Sequence, residues 1–341
     1  MIPATLLSGQ PVRWQVELAQ AISDPAELIA VLGLDEALLP AARRAAERFP
    51  LRVPRSFVAR MRRGDPADPL LRQVLPLDLE LTPVPGYRRD PVGDLDARLA
   101  PGVLQKYRGR VLVVTTGACA VHCRYCFRRH FPYADENPRP GQWHAALEAV
   151  RADPTIHEVI LSGGDPLALS DARLAEFTDA LATIPHVWRL RVHTRTPVVL
   201  PARVDEGLIR WLDGVRLQKV FVLHVNHPRE IDMEVCAAAG RLAAAGATLL
   251  NQSVLLRGVN DEADTLVALS ETLFAAGILP YYLHLLDRVE GAAHFDVPEN
   301  RALGIMAQLH ARLPGYLVPR LVREVPGAPG KLPLFPELFH A

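Results

Sequence analysis

The 341-residue sequence has no excess of charge of either sign, because 38 lysines and arginines balance 38 aspartates and glutamates. This balance gives no basic footprint for nucleic acid and no polybasic patch for an anionic membrane surface. No apolar run approaches the length of a membrane-spanning helix, and the start, MIPATLLSGQPVRW, lacks the charged and apolar regions of a signal peptide. We therefore expect a cytoplasmic protein that binds neither nucleic acid nor membrane.

Cysteine is also scarce, with four residues in the whole chain, which is too few for a disulfide framework. Three of the four are nevertheless close together, at Cys119, Cys123 and Cys126. Clustered thiols in a chain without a secretory signal indicate metal binding or catalysis. The fourth, Cys236, lies in the small-residue run EVCAAAGRLAAAG, where we expect a small buried apolar side chain.

The first hundred residues carry apolar stripes but no clustered chemistry. Residues 14–62 have helical periodicity, and Asp24 followed by Pro25 is typical of a helix N-cap with proline at the first helical position. Residues 63–100 are rich in Pro, Asp and Arg, which predicts an irregular connector wrapping the surface. We expect residues 1–100 to form a helical accessory region with its connector.

From residue 110 onward, apolar β-branched runs alternate with helical segments. The predicted strands are 110–116, 157–161, 187–193, 218–225, 247–255 and 278–286. Successive strand–helix units predict a parallel α/β sheet, whose carboxyl edge holds the chemistry. Six units are fewer than a closed eight-stranded barrel requires, so the pattern predicts an open, partial (β/α)6 barrel over residues 101–316 and a short C-terminal segment over 317–341.

The three clustered cysteines follow the first predicted strand directly, in the stretch TTGACAVHCRYCFRRH with C-x-x-x-C-x-x-C spacing. Three thiolates suit an iron–sulfur cluster, and a [4Fe–4S] cluster bound by three leaves one iron open for a small molecule. The motif resembles the signature of radical S-adenosylmethionine (SAM) enzymes. A zinc loop completed by His122 or His130 is the alternative that the motif leaves open.

Polar residues follow the other strands as well. Strand 157–161 ends in Ser162, Gly163, Gly164 and Asp165, which form either a ligand-binding turn or a tight turn in which Asp165 caps the next helix. Radical SAM enzymes have a similar turn that binds the SAM amino group. Further polar groups at strand ends are His193 and Arg195, then His224, then Gln252. Because parallel strands end at one edge, we expect these groups to meet there.

Lys331 follows the loop PGAPG near the end of the chain. The loop is not a phosphate-binding P-loop, because Val325 and Leu332 stand where that motif requires Gly and Ser or Thr. On its own Lys331 would be a surface lysine.

Together, HTRTPVVLP, HVNHP, NQSVLLRGVND, YYLHLLD and PGAPGK resemble the lysine 2,3-aminomutase family over residues 100–335. The resemblance is strongest to the short members that supply β-lysine for modification of translation elongation factor P. It implies three cofactors: a [4Fe–4S] cluster, SAM and pyridoxal 5′-phosphate (PLP). It also implies free lysine as substrate, an electron donor, and a functional link to elongation factor P and its lysine ligase.

Residue by residue, the resemblance assigns the cluster to the three clustered cysteines and covalent PLP binding to Lys331. It assigns the PLP phosphate to Arg110 and Lys106, the substrate carboxylate to Arg128, and the substrate ammonium to Asp287 and Glu324. The SAM region takes Ser162, Gly163, Gly164, Asp165, His224 and Gln252. Lys106 replaces the family's arginine and Glu324 replaces its aspartate.

The expected reaction is the conversion of L-α-lysine to β-lysine, in the R form, through a 5′-deoxyadenosyl radical and PLP. Two alternatives stay open at this point. One is a radical SAM and PLP aminomutase acting on another amino acid such as glutamate. The other is a catalytically degenerate relative that only binds partners.

Overall fold

The computed structural model describes residues 13–136 and 143–335. Its α-helices are α1 Arg13–Ala19, α2 Pro25–Leu32, α3 Leu39–Arg48, α4 Arg55–Val58, α5 Tyr133–Glu136, α6 Trp143–Ala152, α7 Asp171–Leu181, α8 Thr196–Val199, α9 Glu206–Gly214, α10 Met233–Ala244, α11 Ala263–Ala275 and α12 Glu299–Arg312. Its β-strands are β1 Arg98–Ala100, β2 Val103–Tyr107, β3 Arg110–Thr116, β4 Glu158–Gly163, β5 Arg189–Thr194, β6 Gln218–His224, β7 Ala247–Val254, β8 Leu279–His284, β9 Arg320–Arg323 and β10 Leu332–Pro333.

The strands form a single sheet in which spatial order follows chain order from β1 to β10. Strands β3 to β9 are parallel, whereas β1, β2 and β10 are antiparallel additions at the two ends. The six predicted strand–helix units are present, and the partial-barrel prediction is confirmed. The sequence pattern missed β9, because four residues are too short to show a period.

The sheet extends across both boundaries of the predicted three-part division, since β1 precedes residue 101 and β9 follows residue 316. The division into 1–100, 101–316 and 317–341 stays a prediction. The extension has a consequence for the site. Because β9 lies parallel to β8, the residues that follow both strands reach the same edge of the sheet.

The main apolar core lies between the sheet and the helices that connect its strands. A second apolar cluster joins the N-terminal helices to the cysteine loop, where Trp14, Phe57 and Leu70 share a cluster with Ala120 and Val121. The N-terminal region therefore supports the cysteine loop from outside the barrel. At the start of α2, Asp24 accepts a hydrogen bond from the backbone N of Ala26 at 2.9 Å, which confirms the predicted N-cap.

Cys236 is exposed, and the prediction of a buried side chain is wrong. Helix α10 buries Val235, Ala238, Ala239 and Leu242, which form one stripe at helical spacing. Cys236 lies one residue beyond Val235 and so projects about 100° away from that stripe. None of the helices in the described ranges is long and apolar enough to cross a membrane.

Candidate active site

A cavity of about 620 Å³ opens at the carboxyl ends of the strands. Every site residue predicted from the sequence contributes to its lining. These residues are Lys106, Arg110, Cys119, Cys123, Cys126, Arg128, Ser162, Gly163, Gly164, Asp165, His224, Gln252, Asp287, Glu324 and Lys331. The fold thus brings together in one cavity residues that are up to about two hundred positions apart in the chain.

The three clustered cysteines lie in the loop after β3, and all three reach the cavity. Burial, reinforced by the neighbouring Cys123, raises the pKa of Cys126 to about 11. Burial also raises the pKa of Cys119, again reinforced by the other two thiols. With raised pKa values, Cys119 and Cys126 need a nearby positive charge to become thiolates. A metal cluster supplies that charge, so the donor set fits a [4Fe–4S] group.

The zinc alternative is not supported by the geometry. The ring nitrogen Nδ1 of His122 lies 2.9 Å from the carbonyl oxygen of Pro50, and Nε2 of His130 lies 3.2 Å from that of Glu290. In residues 13–136 and 143–335, no three His, Cys, Asp or Glu side chains converge as one metal ion requires. A four-iron cluster binds its cysteines at three separate irons and does not need that convergence.

A buried polar network supports Cys123. The guanidinium of Arg195 donates to the Cys123 Sγ at 2.8 Å and to the Tyr125 hydroxyl at 2.6 Å. The Arg195 Nη2 donates to the side-chain oxygen of Gln73 at 2.6 Å and to the Glu230 carboxylate at 3.0 Å. Gln73 comes from the N-terminal region, so this region contributes to the cluster's surroundings as well as to the core.

The turn after β4 packs directly on the cysteine loop. A Cβ added to Gly164 would lie 2.3 Å from the carbonyl oxygen of Ala118, and one added to Gly163 would lie 2.5 Å from that of Thr116. Gly163 also has a φ of +121°, which disfavours any side chain. The glycines are thus required first for the close approach of the two backbones. That approach places the turn beside the cysteines.

The carboxylate of Asp165 accepts four hydrogen bonds from the protein, one of which caps the short helix that follows; ligand binding by the turn stays a prediction. It accepts from the backbone N of Leu167 at 3.0 Å and from the backbone N of Arg195 at 2.8 Å. It also accepts from the Thr194 hydroxyl at 2.7 Å and the Thr196 N at 3.0 Å. A ligand at this turn would therefore meet backbone groups and the neighbouring Ser162 hydroxyl, and the Asp165 carboxylate holds β5 against the turn.

His224 ends β6, and its neighbour across the sheet, Gln252, lies two residues before the end of β7. Nε2 of His224 lies 3.1 Å from the Tyr125 hydroxyl, and burial, reinforced by the positive charge of Arg195, lowers the pKa of His224 to about 3. The imidazole is therefore neutral at physiological pH. The side-chain amide of Gln252 makes no hydrogen bond to the described residues and faces the cavity.

Lys331 and Glu324 form an ion pair in the same cavity, with Nζ 2.5 Å from Oε2. The hydroxyl of Tyr107 donates to the other carboxylate oxygen at 2.6 Å. Burial acts to raise the pKa of Glu324, but the positive charge and hydrogen bond of Lys331, together with Tyr107, outweigh it and lower the pKa. Glu324 is therefore ionised, and Lys331 is not the free surface lysine that its position near the terminus suggested.

Asp287 follows β8 and makes no side-chain hydrogen bond to the described residues. Burial raises its pKa to about 7, with Lys331 acting to lower it and Glu324 to raise it. A half-buried carboxyl without a hydrogen-bond partner, beside a second carboxylate, is a site that a ligand cation would stabilise.

Arg128 and Lys106 are joined by Asp94, a residue that the sequence analysis did not select. Arg128 donates from Nε to Asp94 at 2.6 Å and from Nη1 to the Ser162 hydroxyl at 3.1 Å. The Lys106 ammonium lies 2.7 Å from the other oxygen of Asp94 and 3.6 Å from Glu324, and it donates to the Val92 carbonyl at 2.8 Å.

Arg110 differs from Lys106 in that its guanidinium makes no hydrogen bond to the described residues. It stacks 4.6 Å from the ring centroid of Tyr107 and lines the cavity. Of the two cations predicted for a phosphate, Arg110 is the less committed, since Lys106 already donates to the Val92 carbonyl and is paired with Asp94.

The prediction that residues 63–100 form a connector wrapping the surface does not hold for all of them, because Leu70 and Gln73 are buried as well as Val92 and Asp94. Val92 and Asp94 are buried in the cavity wall. The Asp- and Gly-rich composition around Asp94 is typical of a surface turn, so no local signal separates Asp94 from its exposed neighbours. Tyr107 and Gln73 were likewise found only when the fold brought them to the site, whereas Arg195 was expected at this edge and lies there.

Comparisons with known proteins agree with this geometry. The radical SAM superfamily matches residues 113–269. The chain is 49% identical over 322 residues to the L-lysine 2,3-aminomutase of Escherichia coli (strain K12), covering 94% of each chain. It is 47% identical to the protein of the same name from Haemophilus influenzae, covering 97% of this chain and 98% of that one. The L-lysine 2,3-aminomutase of Clostridium subterminale is 38% identical, over 80% of this chain and 66% of that one.

Proposed function

The chain belongs to the L-lysine 2,3-aminomutase family, and from that premise we propose that it converts free L-lysine to β-lysine in the cavity at the carboxyl end of its sheet. The observation that carries this proposal is the composition of the cavity. Three thiols, a lysine, an arginine and two acids line one space. A partner-binding relative would not need all of these groups together.

The family uses a [4Fe–4S] cluster, SAM and PLP, and it requires an electron donor. We propose that Cys119, Cys123 and Cys126 hold the cluster, while the turn at 162–165 with His224 and Gln252 surrounds SAM. Lys331 binds PLP covalently, and Arg110, assisted by Lys106, takes the phosphate. When bound, these groups supply a hydrogen-abstracting radical and a π system that carries the migrating nitrogen.

The protein's own contribution is to hold lysine at both ends. Arg128 takes the α-carboxylate, for which a guanidinium offers a planar fork of donors. Asp287 and Glu324 take the distal ammonium. With both ends held, the atoms between them are fixed relative to the cofactors, and the surrounding walls exclude water.

The acid pair favours lysine over glutamate. The distal group of glutamate is a carboxylate, which would face two carboxyl groups and be repelled. The distal group of lysine is an ammonium, which would pair with Glu324 and ionise Asp287. Glu324 is occupied by Lys331 in this structure. Once the Lys331 nitrogen is engaged by PLP, that carboxylate is available to the substrate.

We propose further that the product is (R)-β-lysine for modification of translation elongation factor P and that the enzyme works in the cytoplasm. Support for the first point is the resemblance to the short members of the family that serve elongation factor P. In agreement with it, the chain matches two relatives over at least 94% of their length but only 66% of the Clostridium protein. Support for the second is that free clustered thiols require a reducing compartment.

The test is anaerobic reconstitution with iron, sulfide, PLP, SAM and a reductant, followed by assay of a panel of free amino acids. We expect turnover of L-lysine with chiral chromatography giving the R product, and none of glutamate. The Lys331→Ala protein is the control. Preference for glutamate, or lysine turnover by Lys331→Ala at the parent rate, would contradict the proposal.

A further inference from the structure

We propose that Asp94 is a positioning residue that orients Arg128 toward the substrate carboxylate and links this arginine to Lys106. The inference rests on the proposed function, in which Arg128 binds the carboxylate of lysine. Asp94 is 2% exposed, and its two oxygens are divided between the two cations. The Arg128 Nε lies 2.6 Å from Oδ2, and the Lys106 Nζ lies 2.7 Å from Oδ1.

The guanidinium of Arg128 is held by several contacts. Asp94 takes its Nε–H, the Ser162 hydroxyl accepts from Nη1 at 3.1 Å, and the rings of Phe127 and Phe131 lie 4.9 and 5.8 Å from Cζ. A guanidinium has five N–H donors. Two are used, and the remaining three, all on the two Nη atoms, make no hydrogen bond to the described residues. By accepting the Nε–H, Asp94 leaves the edge of the guanidinium formed by the two Nη atoms, its terminal edge, for the substrate carboxylate.

Asp94 is itself rigidly placed. Its backbone N donates to Asp90 Oδ1 at 3.0 Å, and the backbone N of Leu95 donates to the other Asp90 oxygen at 3.1 Å. Gly93 has a φ of +65°, and a Cβ there would lie 3.2 Å from the Cβ of Pro326, in the loop that precedes Lys331. The loop carrying Asp94 therefore packs against the loop carrying the proposed PLP lysine.

The orienting effect proposed for Asp94 can be distinguished from the effect of its negative charge alone. Removing the carboxylate would leave Arg128 without an anionic partner and Lys106 with only Glu324, at 3.6 Å, and Coulomb attraction alone would then bind a substrate carboxylate more tightly. Loss of orientation would bind it less tightly, because the fork would no longer present its terminal edge. The two explanations predict effects of opposite sign.

The experiment compares lysine with cadaverine, which is lysine without its carboxylate. Dissociation constants of both are measured by anaerobic calorimetry on the reconstituted enzyme. The ratio of the cadaverine constant to the lysine constant isolates the carboxylate contact. In Asp94→Asn we expect this ratio to fall by roughly tenfold or more. Asp96→Asn is the matched control, since Asp96 is an exposed acid on the same loop whose side chain has no hydrogen bond or ion pair with the described residues, and its ratio should stay at the parent value.

A cycle with Arg128→Lys shows whether Asp94 acts through the arginine. The side chain introduced by Arg128→Lys has no Nε–H from which Asp94 could accept a hydrogen bond. Asp94→Asn should therefore change the ratio much less in that background than in the parent. An unchanged or raised ratio in Asp94→Asn would overturn the proposal, as would strict additivity in the cycle. A parent enzyme that binds both amines equally would instead refute the proposed role of Arg128.

Asp94→Glu provides a second variant if Asp94→Asn does not fold. It keeps the charge but moves the acceptor by one methylene, and we expect a ratio between those of the parent and Asp94→Asn. Failure of both variants to fold, with Asp96→Asn folded, would assign Asp94 to folding alone and overturn the proposal.

Discussion

Substitution of Asp287 by asparagine removes one of the two acids proposed for the substrate ammonium. Its shape is kept, and it has no protein hydrogen bond to lose, so the cavity should not rearrange. Truncating one partner of a buried charge pair costs about 2–5 kcal/mol, or roughly 30- to 5,000-fold. Because Glu324 remains, we expect the lower part of this range, a fall of about 30- to 300-fold in kcat/KM for lysine.

The pH dependence gives this prediction a second, independent readout. Asp287 must be ionised to bind an ammonium, and burial raises its pKa to about 7. Below that value kcat/KM should therefore rise about tenfold per pH unit, and it should level off above. The positive charge of Lys331 acts to lower this pKa. Attachment of PLP to Lys331 should therefore move the inflection of the kcat/KM profile to higher pH. In Asp287→Asn the rising limb attributable to this carboxyl should be absent.

The assay is lysine turnover from pH 5.5 to 9 under anaerobic conditions, with iron content and visible absorption of bound PLP measured on the same preparations. Glu290→Gln is the control, because Glu290 is an exposed acid three residues further on whose side chain has no ion pair with the described residues. Turnover by Asp287→Asn at the parent rate, or a parent profile that is flat below pH 7, would refute the reasoning. Loss of iron in the variant would show instead that the substitution damages the cluster site.

The remaining predictions concern the cofactor sites and the turn beside them. Alanine at any one of the three clustered cysteines should abolish SAM cleavage and lower the iron content, whereas alanine at the exposed Cys236 should change neither; full iron and activity in a cluster variant would contradict this. Lys331→Ala should lose the visible absorption of bound PLP and keep its iron, and an unchanged spectrum would move the attachment to another lysine. Gly164→Ala places a Cβ 2.3 Å from a backbone oxygen and should lower both the melting temperature and the iron content. Gly240→Ala, which meets nothing within 4 Å in a helix, should stabilise the protein by about 0.5–1 kcal/mol; equal melting temperatures for the two variants would argue against the packing of the turn on the cysteine loop.

The sequence by itself determined the features that are local in the chain. Cysteine spacing within eight residues, the glycine turn after β4 and the alternation of apolar strands with helices are all short-range patterns, and each was found where predicted. The strand pattern also predicted that polar groups at strand ends would meet, because parallel strands share one carboxyl edge. The family resemblance then supplied Arg128, Asp287, Glu324 and Lys331, and all four line the cavity.

Only the tertiary structure decided which groups contact one another across the chain. Asp94 reaches Arg128 because the connector folds into the cavity. Glu324 reaches Tyr107 because β9 adds to the sheet, and it reaches Lys331 because β10 pairs back onto β9. Burial also decided the protonation of Asp287 and the orientation of the Asp165 carboxylate toward backbone donors. Hydrogen bonds and desolvation depend on the distances between side chains. For residues far apart in sequence, those distances are fixed only when the sheet is formed.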